Sequence, residues 1–210
     1  MVNILYHDEY IAVAQKNAGL LSEGEGKDCF PTLLRQSLLE ITEKEYTLYT
    51  VHRLDRETEG IMVYALSSAT AATLSKDITD GKWSKIYNAK LCGVPSQNEG
   101  RLCDLLYYDR TKSKSFVVKA KRKGVKEAAL SYTVISSDEK SALVRIALET
   151  GRTHQIRVQF ASRGLPLCGD RRYGAPAESG KSLALCACEL SFPHPKTRED
   201  LYFKILPSNF

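Results

Sequence analysis

Ser115-Phe116-Val117-Val118-Lys119-Ala120, Ala129-Leu130-Ser131-Tyr132-Thr133-Val134-Ile135-Ser136 and Ser141-Ala142-Leu143-Val144-Arg145-Ile146-Ala147-Leu148-Glu149 read as three successive strands with no helix between them. Upstream, Lys85 to Leu91 alternates as a strand should, and Gly93 to Gly100 reads as a loop. Further upstream, Gly60 to Leu66 is an apolar strand, and Ser67-Ser68 caps a helix running through Leu74 to about Thr79. Pro31 opens another helix with Leu33, Leu34, Leu38 and Ile41 at helical spacing. Ile4–Tyr6 and Tyr10–Ala14 make an opening hairpin around His7-Asp8-Glu9. Downstream, Thr153 starts a short helix through Ser162 that Gly164 stops, and strands near 183–188 and 201–206 close the chain. Strand follows strand without regular helical crossovers. The expected class is α+β, a mixed and largely antiparallel sheet flanked by helices and loops, and not a doubly wound fold.

The 210 residues are 43% hydrophobic and 26% charged, enough for a substantial core and incompatible with wholesale disorder. No repeat, low-complexity tract or linker marks a boundary, so residues 1–210 are expected to form a single domain. No apolar run approaches the roughly 20 residues of a membrane span. The N-terminus carries acids where a signal peptide has its basic region, so a soluble, cytoplasmic protein is expected. Cysteines stand at 29, 92, 103, 168, 186 and 188. Cys186 and Cys188 are two apart, would share one face of a strand, and leave no turn between them for zinc. Reduced, mostly buried thiols are expected, and no metal. The net charge is +5. Between Arg110 and Lys126 lie eight basic residues and no acid, leaving 22 basic against 25 acidic elsewhere. All of the positive excess is therefore in one segment. It reads either as a solvated face or as a surface for a polyanion, nucleic acid first.

Two segments are rich in polar groups beside apolar elements: Val51-His52-Arg53-Leu54-Asp55-Arg56-Glu57-Thr58-Glu59-Gly60 and Gly151-Arg152-Thr153-His154-Gln155-Ile156-Arg157-Val158. Each is either a salt-bridged turn or a site with a task. The first resembles the HRLDxxTSG signature of RluA-type pseudouridine synthases. The second, with Gly164-x-Pro166 and Gly169-Asp170-x-x-Tyr173-Gly174, resembles the same family's second signature. Lys85-Ile86-Tyr87-Asn88-Ala89 is similar to its KxYxA strand. The opening Ile4–Gly19 and the closing Leu190–Pro195 also match, so the resemblance covers the chain. Departures are peripheral: Asn17 for a usual Pro, Glu59 for Ser, Cys186 and Gln159 for His. Glu59 adds negative charge near an RNA-facing loop.

The resemblance implies a pseudouridine-synthase-like catalytic domain without the N-terminal S4 module of many relatives. The implied reaction isomerises a uridine in structured RNA, tRNA or rRNA, exchanging an N1–C1′ bond for C5–C1′ without cofactor or metal. Asp55 matches the catalytic carboxylate, Arg157 the arginine that pairs with it and keeps it ionised, and Tyr87 the tyrosine against the target base. His52, Arg53, Lys85 and Arg152 fall in the motifs and are expected at the substrate. Lys119, Lys121, Arg122 and Lys123 are expected on the RNA backbone. The base must leave its stack to be reached. Attack at C1′, attack at C6 and removal of a ribose proton stay open. A hydrolase lacks its Gly-x-Ser-x-Gly turn, and a glycosidase lacks a second carboxylate to pair with Asp55. A non-catalytic RNA-binding protein with the same fold is the alternative, and intact Asp55, Tyr87 and Arg157 favour the enzyme. A monomer with RNA as its partner is expected.

Overall fold

The computed structural model describes residues 2–180 and 182–208. In chain order the elements are β1 (Asn3–His7), β2 (Ile11–Lys16), α1 (Phe30–Thr42), β3 (Tyr49–Thr50), β4 (Glu59–Ala65), α2 (Ser68–Thr79) and β5 (Ser84–Cys92). They continue with β6 (Glu99–Asp109), β7 (Lys114–Val118), β8 (Val125–Ser137), β9 (Ser141–Leu148), α3 (Gln155–Ala161), β10 (Leu185–Pro193) and β11 (Asp200–Lys204). Contacts divide the chain into two compact units, residues up to 84 with 187–207, and residues 85–186 with Ser208.

In the first unit, Asp8 sets the β1–β2 turn, its Oδ1 accepting from the N–H groups of Tyr10 and Ile11 at 2.7 and 2.8 Å. β2 pairs antiparallel with β4, and the short β3 pairs with the C-terminal end of β4. Every residue of β4 is buried, as is Ile11–Ala14 of β2. Their continuous apolar runs are what strands covered on both faces require. Pro31 lies in the first turn of α1, where its missing N–H costs nothing, and the helix buries Phe30, Leu34 and Leu38. Ile41 is 56% exposed, so the apolar stripe is one residue narrower than its spacing suggests. Ser67 caps α2 as expected, Oγ accepting from Thr70 N–H at 3.2 Å. Asp77, near the end of that helix, takes two bonds from Arg198 at 2.7 and 3.0 Å and one from Lys82 at 2.8 Å. These cations hold its carboxyl at about 2 and tie the β10–β11 turn to α2.

The second unit is an antiparallel sheet in the order β5-β9-β8-β6-β7. α3 lies against β6 and β7, burying Val158 with Leu106, Ala128 and Tyr173. β6, whose start at Glu99 lies in the predicted loop, had no counterpart in the sequence reading. Asp104 interrupts its apolar pattern but is paired there, accepting from Gln159 Nε2 at 2.7 Å and Arg163 Nη1 at 2.9 Å. Arg101 is likewise held by Glu149 at 2.6 Å. The basic segment falls on β7, its flanks and the start of β8, and β7 is the end strand of this unit's order. The α+β class with a mixed sheet and three helices stands as expected.

Gly60 opens β4 at φ +147°, a conformation that suits glycine. A Cβ there would lie 2.5 Å from Ala187 Cβ and 2.7 Å from Ala187 backbone N and O. Backbone cannot swing aside as a long side chain can. Gly60→Ala should therefore lower the free energy of unfolding by about 3 kcal/mol or more, read from the midpoint of a urea melt at constant slope.

Candidate active site

Asp55 sits half-buried in the loop between β3 and β4. Its own carbonyl closes a turn by accepting from Thr58 N–H at 3.0 Å. The residues on either side are fastened separately. Leu54 N–H donates to Ser22 Oγ at 3.0 Å, and that hydroxyl donates to Leu54 carbonyl at 2.7 Å. Arg56 exchanges two bonds with Gly19: Gly19 N–H donates to Arg56 carbonyl, and Arg56 Nε to Gly19 carbonyl, both at 2.8 Å. Tyr64 OH reaches from β4 to the carbonyl of Ser22 at 2.7 Å. The Gly-rich loop between β2 and α1, which holds Gly19, Gly24 and Gly26, is thus the splint for Asp55, and Gly19 can serve because it holds φ +93°.

Lys16 completes the splint, and sequence reasoning gave it no role. It ends β2 with no solvent exposure. Its ammonium donates to the carbonyls of Leu20 at 2.8 Å, Asn17 at 3.1 Å and Arg56 at 3.2 Å. Three donors meet three acceptors, which offsets part of the cost of burying the charge. Burial still pushes the amine down to about 8, opposed by the fields of Asp55, Glu57 and Glu59. A lysine closing an otherwise apolar strand was the available signal. Glu59, expected to add negative charge towards RNA, is turned inward and buried. Its Oε1 accepts from Gln15 Nε2 at 2.8 Å.

His52 is committed to backbone, its Nε2 accepting from Val63 N–H at 3.0 Å, with its ring edge on Trp83. Arg53 is exposed and ion-paired with Glu23.

The second unit carries the other motif residues. Tyr87 is buried in β5, opposite Ile146 of β9. The half-buried Lys85 amine is held below the usual lysine range by desolvation. Gln155 organises the turn before α3, and it too had no role in the sequence reading. Its Oε1 accepts from Thr150 Oγ1 at 2.8 Å and Arg152 N–H at 3.0 Å, and its Nε2 donates to Ala129 carbonyl at 3.0 Å. Arg152 Nε holds Glu127 carbonyl at 2.9 Å. His154 adopts φ +53°, so the helix starts at Gln155 and not at Thr153. Its Nδ1 lies 2.9 Å from Tyr173 OH.

Arg157 projects from α3 into a buried grip. Its Nε and Nη2 donate to the two oxygens of Asp170 at 2.7 and 2.9 Å, and the ring of Tyr173 lies 5.3 Å from the guanidinium carbon. Tyr173 OH accepts from Ser115 N–H at 2.8 Å, and burial raises the phenol to about 12. The basic segment is joined to the same tyrosine: Lys114 Nζ lies 4.9 Å over its ring and donates to Arg172 carbonyl at 2.6 Å. Lys119, Lys121, Arg122 and Lys123 are all exposed, although Lys121 pairs with Glu127 at 2.6 Å and Arg122 lies 5.0 Å over the ring of Tyr107.

Cys29, Cys168, Cys186 and Cys188 are buried, Cys92 half-buried and Cys103 exposed, and none of the six is in a disulfide. Among the described residues no group of three or more His, Cys, Asp or Glu side chains could hold a metal. His194 is taken by Asp8 at 2.7 Å. No described helix is long and apolar enough to cross a membrane.

A family profile described as RNA pseudouridylate synthase matches residues 10–162. A protein of Aquifex aeolicus named as an uncharacterized RNA pseudouridine synthase is 34% identical over 220 residues, spanning 97% of this chain and 69% of its own. The dual-specificity RNA pseudouridine synthase RluA of Vibrio cholerae is 32% identical over 204 residues, spanning 93% and 79%. Among solved structures, human RNA pseudouridylate synthase domain containing 4 superposes with a TM-score of 0.81 at 26% identity, over 98% of this chain and 89% of that one. The chain belongs to the RNA pseudouridine synthase family and is an isomerase acting on RNA. Within that family it is of the RluA type.

Lys16 gives the site a pH signature. The unfolded chain keeps its lysine protonated up to 10.5, whereas the folded chain releases this proton near 8. Below 8 both states are protonated and the burial cost is constant. Between 8 and 10.5 the unfolded state binds more protons, so stability rises with pH. Measured against Lys16→Met, the wild-type protein should gain roughly 2–3 kcal/mol across that window in matched urea melts.

Proposed function

We propose that this protein converts a uridine of tRNA or rRNA to pseudouridine with Asp55 as the nucleophile or base, Tyr87 against the target base, and Arg157 keeping Asp55 ionised. The observation that carries the reading is the fastening of the Asp55 loop. Leu54 and Arg56 are bonded to Ser22, Gly19 and Lys16, while the Asp55 side chain is only half-buried. A reactive carboxylate held on a loop with little freedom to move needs little reorganisation to reach its near-attack position. The relatives named as dual-specificity RNA pseudouridine synthases support RNA as the substrate. We read residues 1–210 as one catalytic domain, and the matched family region, residues 10–162, draws on both units. We take the protein as a cytoplasmic monomer.

Asp55→Asn keeps the shape of the side chain and removes its charge. Pseudouridine formation on total tRNA and rRNA, read by site mapping, should fall by at least a thousandfold while RNA affinity changes less than threefold. Appreciable turnover by Asp55→Asn would rule Asp55 out.

The basic segment supplies contacts that position the RNA without choosing its sequence. Exchanging Lys119, Lys121, Arg122 and Lys123 for Gln should weaken target and non-target RNA alike and leave turnover at saturating RNA near normal. Each lost phosphate contact should remove about 0.7 from the slope of log affinity against log salt for single strands. Lys121, already neutralised by Glu127, should contribute least of the four. An unchanged slope would identify the segment as a solvated edge.

A further inference from the structure

We infer that Asp170 is a positioning residue for the isomerisation: it presets the guanidinium of Arg157, with Tyr173 as the second wall of the clamp. The inference rests on the proposal that Arg157 acts in the chemistry. An arginine side chain has several rotatable bonds, and a helix fixes only its root. Here the head is held by a different segment, in two dimensions. Asp170 takes Nε and Nη2 in the guanidinium plane, with side-chain exposures of 4% for Arg157 and 1% for Asp170. The guanidinium carbon sits over the ring of Tyr173 at 5.3 Å.

The clamp is itself braced. Tyr173 N–H and Ala175 N–H both donate to Asp170 carbonyl, at 3.1 and 3.0 Å. Gly169, at φ +77°, lets the segment pass within 1.9 Å of Ser182 carbonyl as measured from the position of a Cβ it does not have. Tyr173 OH is pinned between Ser115 N–H and His154 Nδ1. A buried ion pair is a poor way to gain stability, because desolvating both charges cancels most of their attraction. A bidentate, planar pair does fix direction. That combination suits a group whose placement matters more than its contribution to folding.

Steady-state kinetics on the RNA substrate test this with wild type, Asp170→Asn, Arg157→Lys and the double variant. Asp170→Asn should lower kcat roughly ten- to hundredfold with KM within twofold, after correction for the folded fraction. If Asp170 works through Arg157, adding Asp170→Asn to Arg157→Lys should cost almost nothing further. A purely structural role would instead multiply the two losses, and that result, or a wild-type kcat in Asp170→Asn, overturns the inference. If Asp170→Asn does not fold, Asp170→Glu takes its place: it keeps the charge but moves the carboxylate by one methylene. The same loss of kcat at constant KM is expected, and a wild-type kcat overturns the inference. Should Arg157→Lys itself turn over normally, the reading of Arg157 fails. An impaired Arg157→Lys beside a normal Asp170→Asn removes only the positioning role.

Discussion

Three carbonyls on one buried ammonium hold the Asp55 loop of the first unit in shape. Asn17 and Leu20 belong to the loop that follows β2 and Arg56 to the Asp55 loop, and Lys16 gathers all three. Burying a lone amine in an apolar core would cost several kcal/mol, and here hydrogen bonds and the nearby carboxylates of Asp55, Glu57 and Glu59 offset part of that. A neutral side chain could fill the space but could not satisfy three oxygens converging from different turns. The same ammonium lends positive potential to the loop that presents Asp55, so one residue serves folding and electrostatics together.

The second unit solves a similar problem with an opposite pair. Arg157 and Asp170 pair in the interior, and Tyr173 uses its ring for the cation and its hydroxyl for backbone. The two units therefore share a principle. In each, a motif residue is steadied by hydrogen bonds from another segment: main-chain and side-chain groups around Asp55 in the first, the Asp170 carboxylate on Arg157 in the second. Loops that carry function gain rigidity from such cross-links and not from regular structure of their own.

Much of this was legible in the chain. Apolar runs such as Ile61–Ala65, the Ser67 cap and Pro31 each encode their element through local physics, and they appear where expected. β6 was not legible, because Asp104 and Arg101 break its pattern and their partners, Arg163, Gln159 and Glu149, lie some 50 residues away. Ile41 misled in the opposite direction, since helical spacing says nothing of where the neighbouring layer ends. The motif residues could be named from the sequence, but the groups that hold them could not. Lys16, Gln155 and Asp170 owe their roles to backbone carbonyls and to a guanidinium that only the fold brings within reach.

The position of β7 at the end of its sheet order has a consequence for how such a protein can change over evolutionary time. An end strand offers unpaired peptide groups to any other strand that approaches, and lysines along it are a standing deterrent to that association. The residues Lys112, Lys114 and Lys119 on and beside β7 therefore keep the edge soluble as well as cationic. A lineage with no use for a cationic surface could not simply shed them. It would have to shorten the strand, cover it, or place other charges there, so the electrostatics of this surface is constrained even where no RNA touches it.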